Sequence, residues 1–227
     1  MIISTLNYPK LHLLFWTAAI VSITAKILNL PLVDHIVIPI LALSLLIIYY
    51  LNNGQNNAFY FSFCFCLLGD LMVIIPDINY FFSGLMSYWG ACLLFYLVVA
   101  KETDVSIKTF IQKPLLLLPY GLYGINFITI NVFLYPQMKE LFIPILIYAL
   151  TLFYVCAHSI VSFLSNKNTS NLYLCVGLIL LSIAASFIGL NKFYFSLYYL
   201  RAFETVFYAP SLYFIFLYFN YKNRYEN

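Results

Sequence analysis

The sequence contains very little charge. Only 8% of its 227 residues are Asp, Glu, Lys or Arg, whereas 64% are hydrophobic, and the mean hydropathy is +0.93. A soluble domain of this length could not bury so much apolar surface, so the composition predicts a polytopic membrane protein. The net charge of only +3 gives no support for nucleic-acid binding.

The sequence also lacks the short motifs of several enzyme classes. G-x-S-x-G, H-E-x-x-H and phosphate-loop patterns are absent. The five cysteines lie in apolar stretches and form no C-x-x-C pair, which is typical of buried apolar side chains and predicts no disulfide framework. His, Asp and Glu form no cluster at ligand spacing, so we expect neither a protein-bound metal nor a cofactor.

Apolar stretches joined by short polar loops divide the whole chain into eight segments. Each segment is close to the ~20 residues that an α-helix needs to cross a bilayer. The sequence therefore predicts a single all-α domain over residues 1–227, a bundle of eight transmembrane helices. The predicted spans are about 11–29, 35–51, 59–76, 80–100, 110–130, 141–164, 171–190 and 198–221.

The distribution of Lys and Arg predicts an orientation. If the N-terminus is cytoplasmic, seven of these residues lie on the cytoplasmic side and four on the other side. Loops that remain in the cytoplasm carry the excess of positive charge. We therefore expect a multi-pass protein of the cell (inner) membrane with both termini in the cytoplasm.

One acidic residue lies inside an apolar span. Asp70 is the sole charge in FYFSFCFCLLGDLMVIIP, residues 59–76. Burying a carboxylate in hydrocarbon costs at least ~2.5 kcal/mol, so such a group usually faces a protein interior or a water pocket. Gly69 beside it removes a side chain and lets another helix or a ligand come close. Asp70 is therefore the first candidate functional residue; the alternative is a hydrogen bond that only joins helices.

Other polar residues fall at the same predicted depth. Lys26, Arg201 and Glu204 lie in the outer halves of their spans, and Asp34 and His35 follow in the loop after the first span. Glu204 lies about 9 Å below the end of its span, and Asp70 lies at the same depth in the third span. The alternative for Lys26 and Arg201 is that they extend to the interface. The predicted site comprises Asp70, Glu204, Lys26 and Arg201, with Tyr88 and Asn191 as neighbours.

Three stretches carry a family resemblance. They are FSFCFCLLGDLMVI at 61–74, FSGLMSYWGACLLFY at 82–96 and GLILLSIAASFIGLNKF at 177–193. These stretches resemble the third, fourth and seventh helices of the YhhN family, which includes the lysoplasmalogenases. The resemblance implies an eight-helix membrane protein that hydrolyses the vinyl-ether bond of lysoplasmalogens.

The chain departs from the family pattern at several positions. Ala184 and Ala185 stand where the seventh helix of the family carries Ser-Asp, and Cys92 stands in place of a His. The eighth helix reads VFYAP at 206–210, without the Gln of the family pattern. Asp70 is the one functional position that carries over.

The reaction that the resemblance implies needs two acidic groups. One delivers a proton to the β-carbon, and a carboxylate stabilises the oxocarbenium ion that results. Asp70 suits the first role, and since Ala185 cannot fill the second, Glu204 is the available replacement. Lys26 or Arg201 would bind the lipid phosphate, assisted by Tyr88 and Asn191 in the same site.

The expected function is therefore a lysoplasmalogenase-like hydrolase of weak activity. Its expected partners are a lysophospholipid or another amphiphile and the surrounding membrane lipid. The alternative is a catalytically silent family member that binds a lipid or small amphiphile in the same cavity. A small transporter is less favoured, because the sequence shows neither a two-fold repeat nor a pair of broken helices.

Overall fold

The computed structural model describes residues 8–75, 77–102, 110, 112–197 and 199–225. Within these residues the chain forms eight α-helices and no strand. A 3₁₀ turn at Pro114–Leu117 precedes α5, another at Lys139–Leu141 follows it, and a π-helical turn at Asn191–Phe195 extends α7. The helices are α1 (Pro9–Ile27), α2 (Pro31–Leu51), α3 (Asn57–Val73), α4 (Ile78–Glu102), α5 (Leu118–Met138), α6 (Phe142–Ser165), α7 (Thr169–Leu190) and α8 (Leu200–Tyr225).

The predicted all-α bundle of eight helices is confirmed. Seven of the described helices are long and apolar enough to cross a membrane, and α3, which carries Asp70, is shorter at 17 residues. The chain is thus a multi-pass membrane protein. Residues 76 and 198, at the predicted ends of the third and eighth spans, lie outside the described residues.

The fifth helix differs from its predicted position. The prediction was 110–130, whereas α5 runs from Leu118 to Met138 after a 3₁₀ turn that begins at Pro114. Proline favours the first turn of a helix because its missing amide hydrogen is not needed there. Pro136 lies within the helix and does not end it. The predicted helix therefore lies about two helical turns too early in the chain.

Short connections place consecutive helices antiparallel to each other. At one end of the bundle, side-chain contacts join the ends of α2, α4 and α8. Lys222 of α8 lies 2.5 Å from Glu102 at the end of α4, and Tyr218 donates to the same carboxylate at 2.9 Å. Asn223 donates to the backbone of Asn52 at the end of α2. The opposite end, where α1, α3 and α7 end and α2, α4 and α8 begin, is called the site end below.

Helix α8 is the centre of the bundle, and α5 is its most peripheral member. α8 packs against α1, α2 and α7, while α3 pairs with α4 and α4 packs on α6. α5 packs mainly on α6 and exposes a stripe of apolar side chains at helical spacing, as expected for a lipid-facing helix. That stripe comprises Leu118, Leu122, Ile125 and Val132.

Gly177 sets the close approach of α7 to α8. A Cβ atom at this position would lie 2.7 Å from Ile215 Cγ1 and 3.1 Å from the Ser211 carbonyl oxygen. Small residues at such contacts let helix backbones approach each other inside a membrane. The position of α8 beside α7, and so of the residues at its site end, depends on this contact.

We expect Gly177→Ala to lower the stability of the protein by roughly 1–3 kcal/mol, because overpacking forces neighbouring atoms apart. The measurement is denaturant unfolding of the purified protein in detergent micelles. Gly124→Ala is the matched control, since a Cβ atom there meets nothing within 4 Å. Equal stability of the two variants would contradict the tight α7–α8 contact.

Candidate functional site

Asp70 forms the centre of the site. Its side chain is 3% exposed, near the site end of α3. Tyr88 of α4 donates a hydrogen bond to Asp70 Oδ1 at 2.6 Å, and Tyr208 of α8 donates to the same oxygen at 2.9 Å. Bonds of this kind to a carboxyl group are short and strong. They join three helices at one buried atom.

The second oxygen of Asp70 differs from the first. Oδ2 is buried and has no hydrogen-bond partner among the described residues. Asp70 lines a small polar cavity of about 20 Å³, enough space for one water molecule. The lining of this small polar cavity includes Asp34, His35, Asp70, Tyr88, Arg201 and Glu204. An unpartnered buried oxygen at a cavity is the arrangement that a proton donor to a ligand requires.

Gly69 allows Tyr88 to reach Asp70. A Cβ atom at position 69 would lie 2.7 Å from Cε1 and Cζ of the Tyr88 ring. The ring therefore occupies the space that a side chain on α3 would fill. The Gly-Asp pair acts as one unit, in which the glycine admits the tyrosine and the aspartate accepts its hydrogen bond.

Two larger cavities adjoin the small polar cavity. An apolar cavity of about 120 Å³ lies among α4, α5, α6 and α7, and a vestibule of about 540 Å³ opens at the site end. Glu204 lines all three cavities, and Tyr88 lines the small polar cavity and the apolar cavity. The apolar cavity includes Phe127, Asn131, Leu134, Tyr148, Leu152 and Ala185 in its lining. The vestibule includes His35, Phe81, Asn191, Lys192, Ser196 and Arg201.

Four of the six predicted site residues come together around the small polar cavity: Asp70, Glu204, Arg201 and Tyr88. Glu204 makes no hydrogen bond or ion pair with the part of the chain that the structure describes. Glu204 is half-buried and lines the cavities from the first turns of α8. The structure therefore places Asp70 and Glu204 in the lining of one cavity.

Lys26 does not join the cavity, which corrects its predicted position. It is fully buried, lies 3.8 Å from Asp34 and donates to Thr205 Oγ1 at 2.5 Å. Ser22 donates a hydrogen bond to Asp34 Oδ1 at 2.7 Å, and this is the oxygen that lies 3.8 Å from Lys26 Nζ. α2 begins at Pro31, four residues earlier than predicted, so Asp34 lies in a helix beside Lys26 and not in a loop.

Asn191 lines the vestibule, but its side chain is used within the protein. It begins the π-helical turn, and its Oδ1 accepts a hydrogen bond from the Leu197 amide at 2.8 Å. Its carbonyl accepts from the amide of Ser196, a residue with φ of 53°. Asn191 therefore shapes the connection between α7 and α8, whereas its predicted role was ligand binding.

Tyr208 and His35 were missed as site residues. Tyr208 lies four residues after Glu204, and residues spaced by four share one face of a helix. The spacing from Glu204 could therefore have identified Tyr208. Pro31 could have identified His35, because proline favours the first turn of a helix and predicts that α2 begins at this residue.

The fold and site define an eight-helix membrane protein with a buried carboxyl group facing a cavity. The YhhN family model matches residues 31–218, which is most of the chain, and the protein belongs to the YhhN family. Comparison with curated proteins and with solved structures gives no match.

Within the described residues, no three His, Cys, Asp or Glu side chains are close enough to hold a metal ion.

We expect Lys26→Met to destabilise the protein by roughly 3–5 kcal/mol, because it leaves the buried Asp34 carboxylate without its ion-pair partner. The double variant Lys26→Met, Asp34→Leu should lose less, since both buried charges are removed together. Denaturant unfolding in micelles measures both. Lys101→Met, at an exposed position in α4, is the control. A loss no larger than that of the control would contradict a structural role for the pair.

Proposed function

We propose that the protein is a lysoplasmalogenase-like hydrolase that cleaves the vinyl-ether bond of a lysoplasmalogen within the membrane. One observation carries this proposal. Asp70 has a buried oxygen without a partner among the described residues, and it lines a polar cavity that shares Tyr88 and Glu204 with an apolar cavity. A single-chain lipid with an acid-labile bond between its chain and its glycerol suits such a junction. Membership of the YhhN family supports the same reaction.

The cavities suit the two ends of such a lipid. The apolar cavity has a lining of mainly hydrocarbon side chains and would take the part of the alkenyl chain next to the ether. The vestibule carries Arg201 and Lys192, and cationic side chains are the usual partners of a phosphate group. Lys192 lies 4.8 Å from the ring centre of Phe81, a residue that lines both the vestibule and the apolar cavity. The scissile bond would then lie near Asp70.

Asp70 performs the first step in this mechanism. It carries a proton on Oδ2 and transfers it to the β-carbon of the vinyl ether, whose double-bond electrons form the new C–H bond. The α-carbon and the ether oxygen then share the positive charge of an oxocarbenium ion. The hydroxyl groups of Tyr88 and Tyr208 already point at Oδ1, so they stabilise the carboxylate that forms.

Water completes the reaction. Its oxygen bonds to the α-carbon, and its proton returns to the Asp70 carboxylate, which gives a hemiacetal and restores the acid. The hemiacetal then loses its hydroxyl proton, the bond to the glycerol oxygen breaks, and that oxygen takes up a proton. The products are a fatty aldehyde and a glycerophosphodiester, which is glycerophosphoethanolamine when the headgroup is ethanolamine. Glu204 stabilises the cationic intermediate from the wall of the same cavity.

Ala185 limits the rate in this proposal. It lines the apolar cavity with Glu204 and Tyr88, at the position where the family resemblance implies an aspartate. A preorganised group of this kind is worth roughly 3–4 kcal/mol, or about a hundred- to a thousand-fold in rate. Glu204 supplies a carboxyl group to the same cavity from α8, so we propose that it replaces part of the missing charge.

The test is aldehyde release from lysoplasmenylethanolamine by the purified protein. We expect weak turnover by the wild type, none by Asp70→Asn and a higher rate for Ala185→Asp. Asp77→Asn is the matched control, because Asp77 is exposed and accepts a hydrogen bond from the Asn79 amide. If the wild type and all variants release only background amounts of aldehyde, the hydrolase proposal is overturned. The alternative, a catalytically silent protein that binds a lipid, then remains.

Glu204→Gln tests the second acidic group. We expect this change to reduce turnover by about a hundred-fold, because an amide cannot balance the charge of the oxocarbenium ion. The KM should change little, since Glu204 acts on the intermediate and not on the lipid chain. Turnover equal to that of the wild type would show that Glu204 takes no part in the reaction.

A further inference from the structure

Asn131 introduces an unexplained polar atom into the apolar cavity. Its side chain lies on α5, is only 7% exposed and lines the cavity. The Nδ2 group donates to the Phe127 carbonyl oxygen at 2.8 Å. The Oδ1 atom is buried and has no hydrogen-bond partner within the described part of the chain.

The hydrogen bond to Phe127 fixes which amide atom is left over. A carbonyl oxygen only accepts, so the NH₂ group of Asn131 must face it. The oxygen of the amide is therefore the atom without a partner. Buried acceptors in folded proteins are nearly always paired, and each exception points to a bound ligand, ion or water or to a functional role.

Other hydroxyl groups in the cavity wall are already engaged. Ser182 donates to the Ile179 carbonyl at 2.8 Å, and Ser186 donates to the Ser182 carbonyl at 2.8 Å. Tyr123 lies 3.3 Å from Ser182 Oγ. Asn131 differs from these residues because a second polar atom of its side chain, Oδ1, is buried and makes no hydrogen bond with the described residues.

We propose that Asn131 Oδ1 accepts a hydrogen bond from the free glycerol hydroxyl of a single-chain lipid, which makes Asn131 a specificity-determining residue. This inference rests on the proposed function for the class of ligand. An ether, an ester and a phosphodiester oxygen can only accept hydrogen bonds, so none of them can pair with Oδ1. A hydroxyl group is the donor that such a lipid offers beside its chain.

The connection between the cavities supports this assignment. Tyr88 and Glu204, which flank Asp70, line the same apolar cavity as Asn131. A lipid bound at this junction would carry its glycerol hydroxyl two carbon atoms from its ether oxygen, where the wall that includes Asn131 begins. A site that pairs with a substrate hydroxyl rejects the analogue without it, because its own polar atom is then left unpaired.

The experiment compares two non-hydrolysable ligands. One is a 1-O-alkyl lysophosphatidylethanolamine, and the other is its 2-deoxy analogue, which lacks the hydroxyl without added bulk. Binding to the purified protein in micelles is measured by titration calorimetry. We expect the hydroxyl-bearing lipid to bind the wild type about ten-fold more tightly. Equal affinity would overturn the proposal.

Two variants assign the effect to Asn131. Asn131→Leu and the smaller Asn131→Ala should bind both ligands equally, and the second is measured in case the first fails to fold. Asn126→Leu is the matched control, because Asn126 is on the same helix and lines the same cavity. It should keep the ten-fold preference. A preference retained in the Asn131 variants would show that another group reads the hydroxyl.

The two proposals fail separately. Neither ligand contains a vinyl-ether bond, so the binding result does not depend on catalysis. Loss of aldehyde release with a retained hydroxyl preference would overturn the hydrolase and leave the role of Asn131. Equal binding of the two ligands with active hydrolysis would overturn only the role of Asn131.

Discussion

Two tyrosine hydroxyls that meet at one oxygen of Asp70 hold the site together. Tyr88 comes from α4 and Tyr208 from α8, so these bonds fix three helices relative to one another. Gly69 makes the first bond possible because the tyrosine ring takes the place of its side chain. Since both donors use Oδ1, Oδ2 has no hydrogen-bond partner among the described residues, and Asp70 lines the small polar cavity.

Two ion pairs, one buried and one half-buried, hold other charges of the bundle differently. Lys26 and Asp34 form a closed pair at the site end, and Lys222 pairs with Glu102 at the opposite end. Pairing is expected, because an uncompensated charge in a low-dielectric interior is strongly destabilising. Asp70 forms no ion pair with any described residue. Its partners are the neutral hydroxyl groups of Tyr88 and Tyr208, which leave its charge without a counter-charge in contact.

The hydrophobic stretches of the sequence were sufficient to predict the eight helices. The distance of each residue from the end of its helix was sufficient to predict that Asp70, Glu204 and Arg201 lie at one level. Depth does not specify which way a side chain faces. Lys26 lies at the predicted end of the bundle, but it faces Thr205 of α8 and Asp34 of α2. Neighbouring helices decide such directions through contacts between residues distant in sequence, and the spacing within one helix does not encode them.

In the proposed hydrolase, Glu204 would replace the carboxylate that the family resemblance implies at position 185. α7 and α8 pack closely at Gly177, and Ala185 of α7 and Glu204 of α8 both line the apolar cavity. An electrostatic effect on a cationic intermediate depends on distance and local dielectric, and not on the helix that carries the charge. A carboxyl group on α8 can therefore serve the cavity that a carboxyl group on α7 would serve, although its direction of approach differs. That difference in approach is the physical reason to expect reduced rather than equal activity.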